Sequence, residues 1–177
     1  MCIRDSHPRE QQQLDEKGII NFDLLDSIDH QLFADDINKL ILGHPLVKQK
    51  YLFNNPLAKA EQFTVHPAPV ILIEGLFVFH LEKIRDLMDL RIFIHANDEL
   101  KIQRRIKRDA EERNYPLEDV LYRYENHVLP SYKAYIEPHK EDAHLVVNNN
   151  DNYEQAYQVL HSFLKNKIEK LIIEPKS

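Results

Sequence analysis

The sequence predicts an α/β layer fold built on a parallel sheet, on three observations. Apolar runs of strand length alternate with helical patterns from Val70 onward. Residues 70–74, Val-Ile-Leu-Ile-Glu, are apolar without alternation, the mark of a strand covered on both faces. The chain has 177 residues, of which 43% are hydrophobic and 29% charged, a balance that suits one globular domain with a real core.

Residues 1–6 carry no periodicity and read as foreign or misassembled sequence ahead of a domain over 7–171. Residues 7–18 are polar, with Gln11, Gln12 and Gln13 in a row, and read as a loop. Over 29–42, Leu32, Phe33, Ile37, Leu40 and Ile41 recur at helical spacing; Gly43 is the stop and Pro45 follows. Residues 48–65 are mixed, with short extended pieces at 51–53 and 62–65.

After the 70–74 strand, Gly75 closes the run, 81–88 reads as a short helix and 90–94 as the next strand. Residues 98–113 form a helix, with Asp98 and Glu99 placed to meet its positive N-terminal end. Two more helices, 117–128 and 131–142, are expected to separate near Pro130. A third strand follows at 144–147 and a turn at 148–152. Residues 153–171 read as an amphipathic helix with Ala156, Val159, Leu160, Phe163 and Leu164 on its apolar face, and 172–177 as a tail.

Charge and composition narrow the function. The net charge of -6 argues against a broad electrostatic grip on nucleic acid. The single cysteine, Cys2, allows no disulfide framework, and the absence of a long apolar run argues against a membrane span; both favour a cytoplasmic setting. The ten histidines do not cluster at zinc-ligand spacing. A phosphate loop of the form G-x-x-x-x-G-K-[ST] needs two glycines five apart, and Gly18, Gly43 and Gly75 supply no such pair.

Three groups of residues could carry chemistry. Glu74 ends a strand, where ligands of open α/β sheets bind, and a carboxylate there suits a Mg²⁺ ion carrying a nucleotide. Lys101, Arg104, Arg105 and Arg108 recur at spacings of three and four, with Arg113 beyond, and guanidinium forks grip phosphate oxygens. The plainer reading makes Asp98, Glu99, Asp109, Glu111 and Glu112 their intrahelical partners. Asp23, in Asn21-Phe22-Asp23, could accept hydrogen bonds from sugar hydroxyls, and Tyr51 with Phe53 could stack on a base.

Taken in order, these segments resemble the uridine kinase (uridine–cytidine kinase) family of P-loop kinases over residues 7–167. The pieces are Asn21-Phe22-Asp23, the stretch 70–78, Arg85-Asp86-Leu87, 91–94, 104–109 with Glu112-Arg113, and Tyr135-Ile136-Glu137-Pro138. The resemblance implies a parallel-sheet P-loop kinase fold with helices on both faces, lacking its first strand and phosphate loop. It implies transfer of the ATP or GTP γ-phosphoryl group to the 5′-hydroxyl of uridine or cytidine.

By that resemblance Glu74 helps hold Mg²⁺, and Asp23, Tyr51, Phe53 and Arg105 border the nucleoside. Arg104, Arg108 and Arg113 meet the triphosphate, Arg108 and Arg113 as parts of a closing lid. Neither nucleic acid nor membrane is an implied partner, and a homo-oligomer is open. The family's Asp-x-Tyr-Tyr general-base segment has no match. Leu52, Pro56, Tyr115 and Arg123 stand where well-known members carry other substrate or lid residues, which leaves the true substrate open. Without its phosphate loop the chain is expected to be inactive alone. The alternatives are a catalytically dead nucleoside-binding module and a P-loop kinase for another small alcohol.

Overall fold

A computed structural model describes residues 7, 9–49 and 61–173, with side chains through 170. Tyr51, Phe53, Leu52, Pro56 and residues 1–6 lie outside the described residues. The chain divides into two compact units, Met1–Glu74 and Gly75–Ser177.

The first unit opens with 3₁₀ turns at Arg9–Gln11 and Leu25–Ser27. Gln12 Nε2 ties them together, donating to the carbonyls of His7 at 2.8 Å and Ser27 at 3.2 Å. Helix α1, His30–Ile41, starts on Asp29, whose Oδ1 accepts from the Leu32 N–H at 2.9 Å. Its buried stripe is Ala34, Asp36, Ile37 and Leu40, whereas Leu32 and Ile41, expected on that face, are exposed.

Gly43 ends α1 as the sequence predicts. At φ +85° it lets the His44 N–H reach the Lys39 carbonyl at 2.9 Å and its own N–H reach Leu40 at 3.1 Å. A Cβ at Gly43 meets nothing within 4 Å, so the cost of Gly43→Ala is backbone strain alone. It is expected to lower stability by about 1 kcal/mol, read from the urea midpoint.

Strands β1, Leu46–Gln49, and β2, Gln62–Val65, pair antiparallel in the register Leu46↔Val65 to Gln49↔Gln62. The extended stretch at 62–65 was expected; its partner β1 was not. Lys48 on β1 pairs with the buried Asp36 of α1, which Lys39 also meets at 3.3 Å.

The largest correction concerns residues 70–74, which form no strand. Leu72 is 88% exposed and Val70 39%, so the run is not buried on both faces. An apolar run becomes an interior parallel strand only when neighbours on both sides take up its N–H and C=O groups, and among the described residues no strand pairs with it.

The second unit holds the parallel pair. After the short helix α2, Glu82–Arg85, strand β3, Ile92–His95, pairs with β4, Leu145–Asn148, in the register Ile92↔Leu145 to His95↔Asn148. Helix α3, Asp98–Arg113, follows β3 with the predicted bounds. It ends on Asn114 at φ +52°, a left-handed position that asparagine tolerates. The core is Phe77, Phe79, Ile84, Phe93, Ala96, Val120 and Val147.

Pro130 does not break the chain's helical path. Helix α4, Leu117–Arg123, runs through a π turn at Tyr124–Val128, α5 at Leu129–Ser131, a second π turn at Tyr132–Ile136 and a 3₁₀ turn at Glu137–Lys140. Pro130 has no N–H to give, and the flanking turns widen to bonds five residues apart, Leu129 N–H to Tyr124 and Glu137 N–H to Tyr132.

Helix α6, Glu154–Ile173, closes the unit. Ala156, Leu160 and Leu164 are half-buried on it, but Val159 and Phe163 of the expected apolar face are exposed. Among the described residues, no helix is long and apolar enough to cross a membrane.

Candidate functional site

Helix α3 collects the basic residues that sequence reading singled out, and their partners are specific. The Asp109 carboxylate is only 2% exposed. Arg108 donates to its Oδ1 from Nε at 3.0 Å and Nη2 at 2.9 Å. Arg113 reaches Oδ1 from Nη1 at 3.1 Å, and Arg105 Nε stands 3.4 Å from Oδ2 without hydrogen-bond geometry. The Asp109 carbonyl also accepts the N–H groups of Asn114 and Tyr115. Three guanidinium groups thus share one carboxylate, and these four side chains alone carry a net charge of about +2.

Arg104 faces another way. Its Nη1 and Nη2 donate to the carbonyls of Asn149 at 2.8 Å and Asn150 at 2.9 Å. The Asn149 N–H donates to the His95 carbonyl at 2.8 Å. Asn97 and Asn150 exchange bonds, Asn97 N–H to Asn150 Oδ1 at 2.8 Å and Asn150 Nδ2 to Asn97 Oδ1 at 3.2 Å. These contacts clasp the carboxyl ends of β3 and β4, where parallel sheets hold ligands. Sequence reading took Asn150 only for a turn residue and passed over Asn97; the asparagine run at 148–150 was the available signal. Beside this clasp, an open groove of about 540 Å³ runs between β4 and α6, walled by Val146, Val147, Ala156 and Val159.

At the start of α3, Lys101 Nζ lies 2.7 Å from Asp98 Oδ1 and 3.9 Å from the Tyr132 ring centroid. Its hydrogen bond and charge hold the Asp98 carboxyl below the usual carboxylate range. Burial pulls the Lys101 ammonium down, but the bonds to Asp98 and Tyr132 outweigh it, so Lys101 sits above its ordinary value.

In the first unit, the Asn21 side chain accepts the Asp23 N–H at 2.9 Å, and the Asn21 carbonyl accepts the Ser27 hydroxyl at 3.3 Å. Asp23 is half-buried on that turn. Glu74 is exposed at the end of its unpaired run. Among the described residues, no group of three or more His, Cys, Asp or Glu side chains gathers as a metal site.

The sequence profile described as "Phosphoribulokinase / Uridine kinase family" matches residues 1–155 of this chain. The chain belongs to the phosphoribulokinase/uridine kinase family. It is 36% identical over 146 residues to the uridine kinase of Borrelia garinii subsp. bavariensis, covering 82% of this chain and 71% of that protein. It is 31% identical over 179 residues to the uridine kinase of Streptococcus gordonii, covering 100% of this chain and 83% of that protein. Against uridine-cytidine kinase A of Dictyostelium discoideum it is 34% identical over 156 residues, spanning 31% of that relative's length. The parallel β3–β4 pair and the helices around it are this chain's part of the P-loop kinase fold of the phosphoribulokinase/uridine kinase family.

Proposed function

We propose that this chain is the nucleoside-binding and lid portion of a cytoplasmic pyrimidine-salvage kinase that phosphorylates the 5′-hydroxyl of uridine or cytidine from ATP or GTP. The observation that carries the reading is the Arg105–Arg108–Arg113 group drawn together by Asp109 in a chain whose relatives are uridine kinases. Guanidinium groups assembled before the ligand arrives need little reorganisation when phosphoryl charge develops.

In this proposal Arg108 and Arg113 take the triphosphate oxygens, and Arg105 faces the nucleoside. Arg104, turned away from that group, positions the Asn149–Asn150 loop beside the nucleotide. Asp23 accepts hydrogen bonds from the ribose hydroxyls, with Tyr51 and Phe53 bordering the base. Mg²⁺ typically takes one or two protein carboxylates together with substrate phosphates, so the single exposed Glu74 is a fitting donor. When bound, the ion would neutralise charge on the phosphates. Lid closure would exclude water and strengthen each contact.

Phosphoryl transfer also needs the backbone cradle of a phosphate loop, and none of these 177 residues forms that motif. The test compares the chain alone with the same chain fused behind the phosphate-loop segment of the Streptococcus gordonii relative. We expect nucleoside binding but no label transfer from γ-labelled ATP by the chain alone, and transfer to uridine or cytidine by the fusion. Binding without transfer in a folded fusion would favour the catalytically dead module. Transfer to another alcohol, such as a sugar phosphate, in place of uridine and cytidine would overturn the nucleoside assignment.

A further inference from the structure

We infer that Asn97 is a positioning residue for the phosphoryl donor, acting through Asn150 on the loop 148–152 that walls the groove at the carboxyl ends of β3 and β4. This deepens the kinase reading above and rests on it. Asn97 is the N-cap of α3, with an extended backbone at φ −63° and ψ 149°. An asparagine in that place ordinarily turns its side-chain oxygen onto a free N–H of the first helical turn. Asn97 makes no such bond. Its Oδ1 instead accepts from Asn150 Nδ2 at 3.2 Å, and its N–H donates to Asn150 Oδ1 at 2.8 Å.

The loop is braced from β3 and α3 alike. The Asn149 N–H donates to the His95 carbonyl at 2.8 Å, and Arg104 holds the Asn149 and Asn150 carbonyls at 2.8 Å and 2.9 Å. Arg104 thus fixes the loop's backbone, whereas the exchange with Asn97 fixes the side chain of Asn150, a residue that lines the groove. Inside the loop the Asn150 N–H donates to Asn148 Oδ1 at 3.0 Å, so a shift of Asn150 passes on to residue 148. Asn148, Asn150 and Asn152 line the groove together with the apolar Ala156 and Val159 of α6. Apolar walls with a few placed amides suit a planar heterocycle with polar edges.

One helix carries both ends of the donor's path. At a rise of ~1.5 Å per residue, Asn97 and Arg108 stand about 16 Å apart along α3, the order of length of an extended nucleoside triphosphate. With the phosphates at Arg108 and Arg113, the far end of a donor lying along α3 falls at the Asn97–Asn150 exchange. Ligands of open α/β sheets sit at this same end of parallel strands. Asn97 is exposed, so water takes up its amide when the contact opens and folding loses little. The consequence of removing it is therefore read in donor binding, not in stability.

The fusion that carries a phosphate loop tests this through its Kd and KM for ATP, set against KM for uridine. Asn97→Ala should raise both ATP constants about fivefold to tenfold and leave KM for uridine within about twofold, with the urea midpoint unchanged. Asn97→Gly removes the same amide, suits an N-cap backbone, and should behave alike. Asn97→Asp keeps an Oδ1 acceptor for Asn150 Nδ2 and should return the ATP constants to within about twofold of wild type. Asn150→Ala loses both bonds and should raise the ATP constants at least as far, with no further rise when Asn97→Ala is added. Wild-type ATP constants in Asn97→Ala and Asn97→Gly, or an equal rise in KM for ATP and for uridine, would overturn the inference and leave the kinase reading standing. A fusion that neither binds ATP nor transfers its phosphoryl group would overturn the kinase reading, and this inference with it.

Discussion

Replacing Asp109 with alanine should lower the stability of the second unit by about 3 kcal/mol, measured by urea denaturation, with little change in the slope of the transition. Exposed ion pairs contribute little, because water solvates the separated charges nearly as well. Asp109 differs in that its carboxylate is 2% exposed and meets three guanidinium groups, from Arg105, Arg108 and Arg113. Alanine would leave these three like charges crowded on one helix end with no anion between them. The arginines are 20–44% exposed and can turn partly into water, which holds the loss at the low end of the range for broken buried pairs. High salt should narrow the gap between wild type and variant, since it screens the repulsion left in the variant. Asp109→Asn should recover part of the loss by restoring one acceptor without the charge. A variant within about 0.5 kcal/mol of wild type would show that Asp109 is not the organising centre of this cluster.

Helix α3 was legible because its signals are local: Asp98 and Glu99 at the start, and basic residues at spacings of three and four along it. The same locality put Asp109 among the candidate intrahelical partners, at four residues from Arg105 and from Arg113. That it would be buried depends on what packs over it, which spacing does not encode. The run at 70–74 was misread for the converse reason. Its apolar residues report a wish to be covered, but a strand exists only through its neighbours, and β1 and β2 paired with each other instead. Pro130 carried a true local rule that tertiary context overrode, the ladder widening into π turns around it.

Arg108→Ala, placed in the fusion that carries a phosphate loop, should lower kcat for uridine phosphorylation by about a hundredfold to a thousandfold, the scale of losing one preorganised donor to developing phosphoryl charge. Arg108 is the most exposed of the three arginines on Asp109, at 44%. Its Nε and Nη2 face the carboxylate, so Nη1 is the edge left to meet a phosphate oxygen. The substitution leaves Arg113 at 3.1 Å and Arg105 at 3.4 Å from Asp109, so the buried charge keeps partners and folding should change by about 1 kcal/mol or less. That contrast separates the two substitutions: Asp109→Ala acts first on stability, Arg108→Ala on turnover. Arg108→Lys should fall between wild type and alanine, because the ammonium keeps the charge and loses the fork. If Arg108 acts on charge that develops only in the transition state, kcat and kcat/KM should fall together with KM for uridine unchanged. A raised KM at constant kcat would place it in ground-state binding alone, and unchanged kinetics would remove it from the reaction.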